Sequence, residues 1–344
     1  MKKIYIFSVL VLFGFYNSTG QTTKPAAAKP ASTAAKPKSG GLEEIRTGGY
    51  DFINPLLDYY EKHSSTLSSH KILRTKINDY ITKAIAAKNV DSVSVYYRDL
   101  VNGQWIGINE NSPYSPASLL KVPYMIAALK YAQEDPDFLS KQVVFYPNGY
   151  KQPQYITDDF ALVPGNLYTM SELLSAMIIH SDNEAKDIIV QSIPYSVYKE
   201  IFTDLNIDIQ KYDTASNTLN FLSVKEYASF FRVLYNATFL NKRMSEYALW
   251  LLTQTAFVKG INAGVPADVK VADKFGERFI IGTNLKQLHD CGIVYKQDGP
   301  YLICIMTKGT DFKKMEKVIA DISKIVYTHS NTNTTAKASN TTFN

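Results

Sequence analysis

The chain has 344 residues, with 45% hydrophobic and 20% charged content, enough for one large domain or two small ones and for a sizeable buried core. The formal charge is +5, but it comes from the two ends. Taking away two lysines in residues 1–20, four in 21–41 and Lys337 leaves residues 42–328 at −2, so a basic nucleic-acid surface is not implied and no nucleic-acid partner is expected.

Residues 1–20 carry Lys2 and Lys3, an apolar stretch from Ile4 to Phe15, then small polar residues, the order of a secretory signal peptide. The stretch is short for a membrane span. Retention as an N-terminal anchor is the alternative, and no cysteine follows it to carry a lipid. The expected location is across the inner membrane, periplasmic or extracellular. Residues 21–41, where Pro, Ala, Lys, Ser and Gly alternate, read as a flexible tether. A helical period runs from Leu67 to about Lys88. The stretch "DSVSVYYRDL" alternates like a strand, "VNG" turns it, and "QWIGINE" returns. Helical spacing begins again at Leu119. Thr169, with Glu172 three residues on, forms a capping box for "MSELLSAMIIH". Three more helices follow, one of them capped by Ser223. Strand patterns resume only at "DVKVADKFG" and continue through "LHDCGIVYK" and "YLICIMTKG" into a last amphipathic helix. The end, 329–344, has no core-forming pattern and is expected to be disordered. Strands at both ends of the domain around a helical block predict one five-stranded, mostly antiparallel sheet in an α/β (α+β) sandwich.

Cys291 and Cys304 flank the hairpin signal "YKQDGPY". With Asp298-Gly299 as a two-residue turn, Cys304 faces Ile293, and the two cysteines lie diagonally, long for a disulfide. Two buried free thiols are expected, and no metal site. Five scattered histidines offer neither a metal cluster nor a Ser-His pair, so the base of any nucleophilic chemistry is not histidine.

Ser-x-x-Lys occurs three times, at Ser68–Lys71, Ser118–Lys121 and Ser196–Lys199. Ser196 follows a turn and reads as a helix cap, and Ser68 sits in a polar run. Ser118 follows a Pro-containing loop and starts the most apolar helix. There Lys121 shares its face, and a buried helix start disfavours the protonated amine. A neutral amine can take the proton of a serine hydroxyl, which alone is too weak a nucleophile. Two further stretches follow in order: Ser181-Asp182-Asn183 at a helix-to-helix turn, and Lys274-Phe275-Gly276 on a strand.

Together these resemble the three signatures of the serine β-lactamase and penicillin-binding protein superfamily, closest to class A, over about Leu67 to Tyr327. The resemblance makes residues 42–328 one catalytic domain of that fold. It implies Ser118 as acylated nucleophile, Lys121 as its base, Ser181 as proton relay and Lys274 as a source of positive potential. Asn183 would bind the substrate amide and Asp182 brace the turn. The backbone N–H groups of Ser118 and Glu277 would form the oxyanion hole. Two departures stand out. Where the family's deacylating glutamate falls, three residues before Leu219-Asn220, this chain has Ser216, with Asp213 the only nearby acid. Phe275 replaces the hydroxyl residue that grips a substrate carboxylate, and Glu277 adds a negative charge beside it, with Arg278 directed the other way along the strand. The reading is a secreted serine hydrolase, without cofactor or metal, acting as a monomer on a β-lactam or peptidoglycan peptide, with slow deacylation. The alternatives are a carboxypeptidase- or transpeptidase-like wall enzyme, and a non-catalytic binding domain.

Overall fold

The structure is a computed structural model that describes residues 40–46, 49–63, 67–147, 149, 154–156, 159–207, 220–280 and 282–339. The expected signal peptide, all but the last two residues of the tether, and the positions Asp213 and Ser216 lie outside the described residues. A hairpin of β1 (Gly40–Arg46) and β2 (Leu56–His63) precedes α1 (Leu67–Ala86). The strands β3 (Ser92–Asp99) and β4 (Trp105–Ile108) form the one early hairpin the sequence predicts, β1–β2 being an addition to it. A helical block follows: α2 (Lys121–Glu134), α3 (Met170–Ile179), α4 (Asn183–Gln191), α5 (Tyr195–Asp204), α6 (Val224–Tyr235) and α7 (Lys242–Leu252). Between α2 and α3, three-residue strands β5 (Gln142–Val144) and β6 (Leu167–Thr169) pair. The chain ends with β7 (Lys270–Phe279), β8 (Lys286–Tyr295), β9 (Tyr301–Gly309) and α8 (Phe312–Ser339).

The main sheet has five strands in the order β4-β3-β9-β8-β7, every pair antiparallel. It is built from both ends of the domain, as the element order predicts, and β7 is left as an edge strand. Both faces are covered. In β9, Leu302, Cys304 and Met306 join the core under the helical block, while Tyr301, Ile303 and Ile305 join the core under α1 and α8. Burial on both faces is why β8 and β9 read as nearly unbroken apolar runs. The expected caps hold: Thr169 and Glu172 close a reciprocal box on α3, and Ser223 and Glu226 do the same on α6.

Other expectations need correction. Cys291 and Cys304 are not free thiols; they are bonded, directly opposite one another with Cα atoms 4.0 Å apart. The turn is centred on Gln297-Asp298, with Gly299 N–H donating to the Lys296 carbonyl at 3.1 Å, not on Asp298-Gly299. Shifting the turn by one residue moves the partner of Cys304 from Ile293 to Cys291. Strand structure does not wait for β7, since β5 and β6 lie within the helical middle, too short to print a period. The helix α8 runs to Ser339, into the expected tail, because His329 is still buried and residues 329–339 contain no Pro or Gly to stop it. Ser196 caps nothing: α5 starts at Tyr195 with Pro194 as the capping position.

Candidate active site

Ser118 lies in a single 3-10 turn, Ala117–Leu120, immediately before α2. In a 3-10 turn, residues i and i+3 eclipse one another, so the three-residue spacing brings Lys121 directly onto Ser118. Lys121 Nζ is 3.0 Å from Ser118 Oγ. The chain reaches this turn through Ala117, held at φ 48°, a left-handed conformation that costs an alanine roughly 1–2 kcal/mol. Tyr227, fully buried on α6, donates its hydroxyl to the Leu119 carbonyl at 2.9 Å and fixes the turn from below.

Lys121 is 2% exposed, and its amine meets three more oxygens: Ser181 O at 2.6 Å, Ser181 Oγ at 3.0 Å and Asn183 Oδ1 at 2.8 Å. Burial pushes its pKa well below the ordinary lysine value; Lys274 and Lys186 push the same way, against Asp182 and Glu277. A neutral amine has two N–H bonds and one lone pair. The two shortest contacts, to the Ser181 carbonyl and the Asn183 amide oxygen, take the hydrogens, which leaves the lone pair for a hydroxyl. Ser181 is itself strained, at φ 56°, and fully buried. Asp182 braces this turn by capping α4, its Oδ1 accepting from Ala185 N–H at 2.7 Å.

The strand β7 forms the other wall. Its register fixes which groups face outward. Ile280 N–H bonds the Leu285 carbonyl, and alternation along an antiparallel pair then places Lys274, Gly276 and Arg278 at hydrogen-bonded positions with β8. The N–H and C=O of Phe275, Glu277 and Phe279 point to the free edge, the direction an oxyanion donor at Glu277 requires. Gly276 lets the 3-10 turn approach: a Cβ there would lie 2.7 Å from Pro116 O and 2.9 Å from Leu119 Cγ. Lys274 is fully buried, its amine 4.3 Å from the Phe275 ring centroid and 3.4 Å from the Phe275 carbonyl.

The Phe275 side chain, expected at the substrate, lies in the core. It is 5% exposed and stacks on Phe257, ring centroids 4.3 Å apart, in the core between the sheet and α8. The Glu277 carboxylate is also engaged elsewhere, accepting from the N–H groups of Tyr155 and Ile156 at 2.8–3.1 Å. Partial burial raises its pKa, against these hydrogen bonds and the nearness of Lys121 and Lys274. Arg278 donates to Ser115 Oγ at 3.0 Å. Glu277 and Arg278 therefore point apart, as neighbours on a strand do.

Ser115, three residues ahead of the nucleophile, is held at every polar atom. Its N–H donates to Gln287 Oε1 at 3.0 Å, and its carbonyl meets His289 Nε2 at 3.0 Å. His289 Nδ1 accepts from Thr307 N–H at 3.3 Å, so Nε2 carries the proton and donates. Burial holds the ring neutral, its pKa lowered to about 3. Gln287 Nε2 donates onward to Asn220 Oδ1 at 2.8 Å, tying Asn220 to the same clamp. Ser115, Gln287, His289 and Tyr227 escaped the sequence reading, and so did Gln154, whose Nε2 donates to Ser181 O at 3.0 Å. The alternation of Gln287 and His289 within an apolar strand was the one available signal. Among the described residues no group of His, Cys, Asp and Glu could hold a metal ion, and no helix is long and apolar enough to cross a membrane.

A family model described as "Beta-lactamase enzyme family" matches residues 73–330. No curated protein matches. Among solved structures, a class A beta-lactamase from Bacteroides cellulosilyticus is 20% identical with a TM-score of 0.63, over 76% of this chain and 99% of its own. A beta-lactamase from Chitinophaga pinensis is 20% identical with a TM-score of 0.62, over 75% and 99%. PBP-A is 20% identical with a TM-score of 0.63, over 76% and 96%, and a mutant of it is known as an acyl-enzyme complex with penicillin G. These likenesses bear on the fold, an α+β arrangement with a five-stranded antiparallel sheet.

Proposed function

The chain belongs to the beta-lactamase enzyme family, and from that premise we propose an exported serine hydrolase that forms an acyl-enzyme on Ser118 and releases it slowly. Its substrate is an amide, either a β-lactam ring or a peptidoglycan peptide. One observation carries this reading: Lys121 Nζ sits 3.0 Å from Ser118 Oγ in surroundings that favour the neutral amine. The lone pair of Lys121 takes the Ser118 hydroxyl proton as Oγ attacks the substrate carbonyl carbon. The developing oxyanion lies between the N–H groups of Ser118 and Glu277, an arrangement in which one donor is typically worth about 3–4 kcal/mol. Ser181 Oγ, 3.0 Å from Lys121 Nζ, passes the proton to the leaving nitrogen, the C–N bond breaks, and an ester remains on Ser118. The Asn183 amide and the positive charge of Lys274 orient the substrate. Slow release follows from the sequence, which has Ser216 where a deacylating glutamate would stand.

Mass spectrometry after incubation with penicillin G tests the reading. An adduct is expected on Ser118, absent in Ser118→Ala, and formed about 10²–10⁴-fold more slowly in Lys121→Ala. The rate should fall as pH drops through the Lys121 pKa, because the protonated amine cannot accept the hydroxyl proton. That limb should lie well below the ordinary lysine range. An adduct at Ser68 or Ser196, or one that survives Ser118→Ala, would overturn the assignment.

A further inference from the structure

Residues 154–156 take no part in the reaction above, yet site residues hold them at both ends. Gln154 Nε2 donates to the Ser181 carbonyl, the same oxygen that receives Lys121 Nζ. The next two backbone N–H groups, of Tyr155 and Ile156, converge on the Glu277 carboxylate with three contacts of 2.8, 3.1 and 3.0 Å. Ser181 belongs to the helical block and Glu277 to the edge strand β7, and Ser118 lies between these walls. A run of three residues reaches about 10 Å when extended, enough to cross such a gap. Beyond the crossing, the Tyr155 ring leans on Phe279 and Phe312 at centroid distances of 5.5 and 5.8 Å. Ile156 packs against the core beneath α8. Hydrogen bonds to an ionised carboxylate are the strong kind, so Glu277 is the firmer of the two anchors.

We propose that Glu277 is a specificity-determining residue, whose carboxylate pins Gln154–Ile156 as a strap across the mouth of the Ser118 cleft. The strap admits compact acyl donors of the size of a bicyclic lactam and turns away a donor that continues as a polymer. A polymeric peptide would have to lie along the free edge of β7 and leave past Ser181. The strap is held on the Glu277 carboxylate, which leaves the Glu277 N–H open at the edge, and it borders the exit at Ser181. This rests on the acyl-enzyme reading and chooses between its two substrate classes in favour of the free lactam.

The test compares acylation of the full chain by penicillin G and by a penicillin extended through its side chain with a long polyethylene glycol. The ratio of the two rate constants cancels any loss common to both probes. In Glu277→Ala the ratio of large to small should rise about tenfold or more, the scale of losing one charge-assisted hydrogen bond. Gln154→Ala, which leaves β7 untouched, should move it the same way and serves if Glu277→Ala fails to fold. Hydrogen exchange should show the Tyr155 and Ile156 amides protected in the wild type and released in Glu277→Ala. An adduct on Ser118 with an unchanged ratio in both variants overturns the strap alone. Amides that already exchange freely in the wild type overturn it too. No adduct from either probe overturns the acyl-enzyme reading itself.

Discussion

Position 275 looks from the sequence like a lost substrate contact, and a hydroxyl placed there invites the idea of repair. The packing says otherwise. The Phe275 ring is stacked on Phe257 and lies under the Lys274 amine, so it supports the lysine from the core. Phe275→Thr should therefore destabilise the protein by about 3 kcal/mol, as truncating a buried aromatic does, and should not speed acylation. Urea denaturation and the rate of adduct formation with penicillin G check this. A loss below about 1 kcal/mol, or a gain in rate, would mean that the ring is not the prop it looks to be. Glu277 makes the same point about charge. Its carboxylate is tied to two backbone N–H groups, so the repulsion expected against a substrate carboxylate is largely redirected into holding the strap.

Two elements must meet closely for the site to exist: the 3-10 turn of Ser118 and the edge strand β7. Gly276 is where they touch, and a methyl group there would meet the Pro116 carbonyl at 2.7 Å, a backbone atom that cannot swing aside. Gly276→Ala should force the turn off the strand, widen the oxyanion site and lower the acylation rate about 10²-fold. Circular dichroism should still report the native fold, and an unchanged rate would refute the close-approach account. What the sequence revealed follows from range. Ser118 with Lys121, and Ser181 with Asn183, are legible because each pair is fixed by local spacing within one turn. The sheet assembled from both chain ends was legible because the strand pattern persists over eight or more residues in every strand but β4, which the turn after β3 supplies. The cysteine pairing was not, because a shift of one residue in the turn changes every partner across β8 and β9. Nor were the clamps on Ser115 or the Gln154–Ser181 contact, which join residues 27 to 174 positions apart and follow from tertiary packing alone.

Across the whole molecule, the site stands over a buried acid pair that the chemistry does not use. Asp273 and Asp290, both fully buried on neighbouring strands, lie beside Lys274. Asn262 Nδ2 donates to Asp273 at 2.9 Å, and Ile261 N–H donates to Asp290 at 2.7 Å. Burial, then the charge of Asp290 and a hydrogen bond to it, raise the Asp273 pKa well above the ordinary value, and burial raises that of Asp290 to about 6. Both shifts favour a proton held by the pair beside Lys274. Both folded values lie above the unfolded 3.8, so the native state keeps a proton that the unfolded chain has released. Stability contributed this way is present at low pH and is lost as pH rises, by about 1.4 kcal/mol per pH unit for each retained proton. His289 and Lys121, held neutral in the fold, act in the opposite sense, so only a difference between variants isolates the pair. Asp273→Asn keeps an acceptor for Asn262 and a donor for Asp290 but holds no titrating proton. Its stability relative to the wild type should climb as pH rises above the unfolded carboxylate value, by at most about 1.4 kcal/mol per unit for the one proton. Urea denaturation at several pH values measures the climb. Parallel curves for the two proteins would mean that the pair holds no extra proton in the native state.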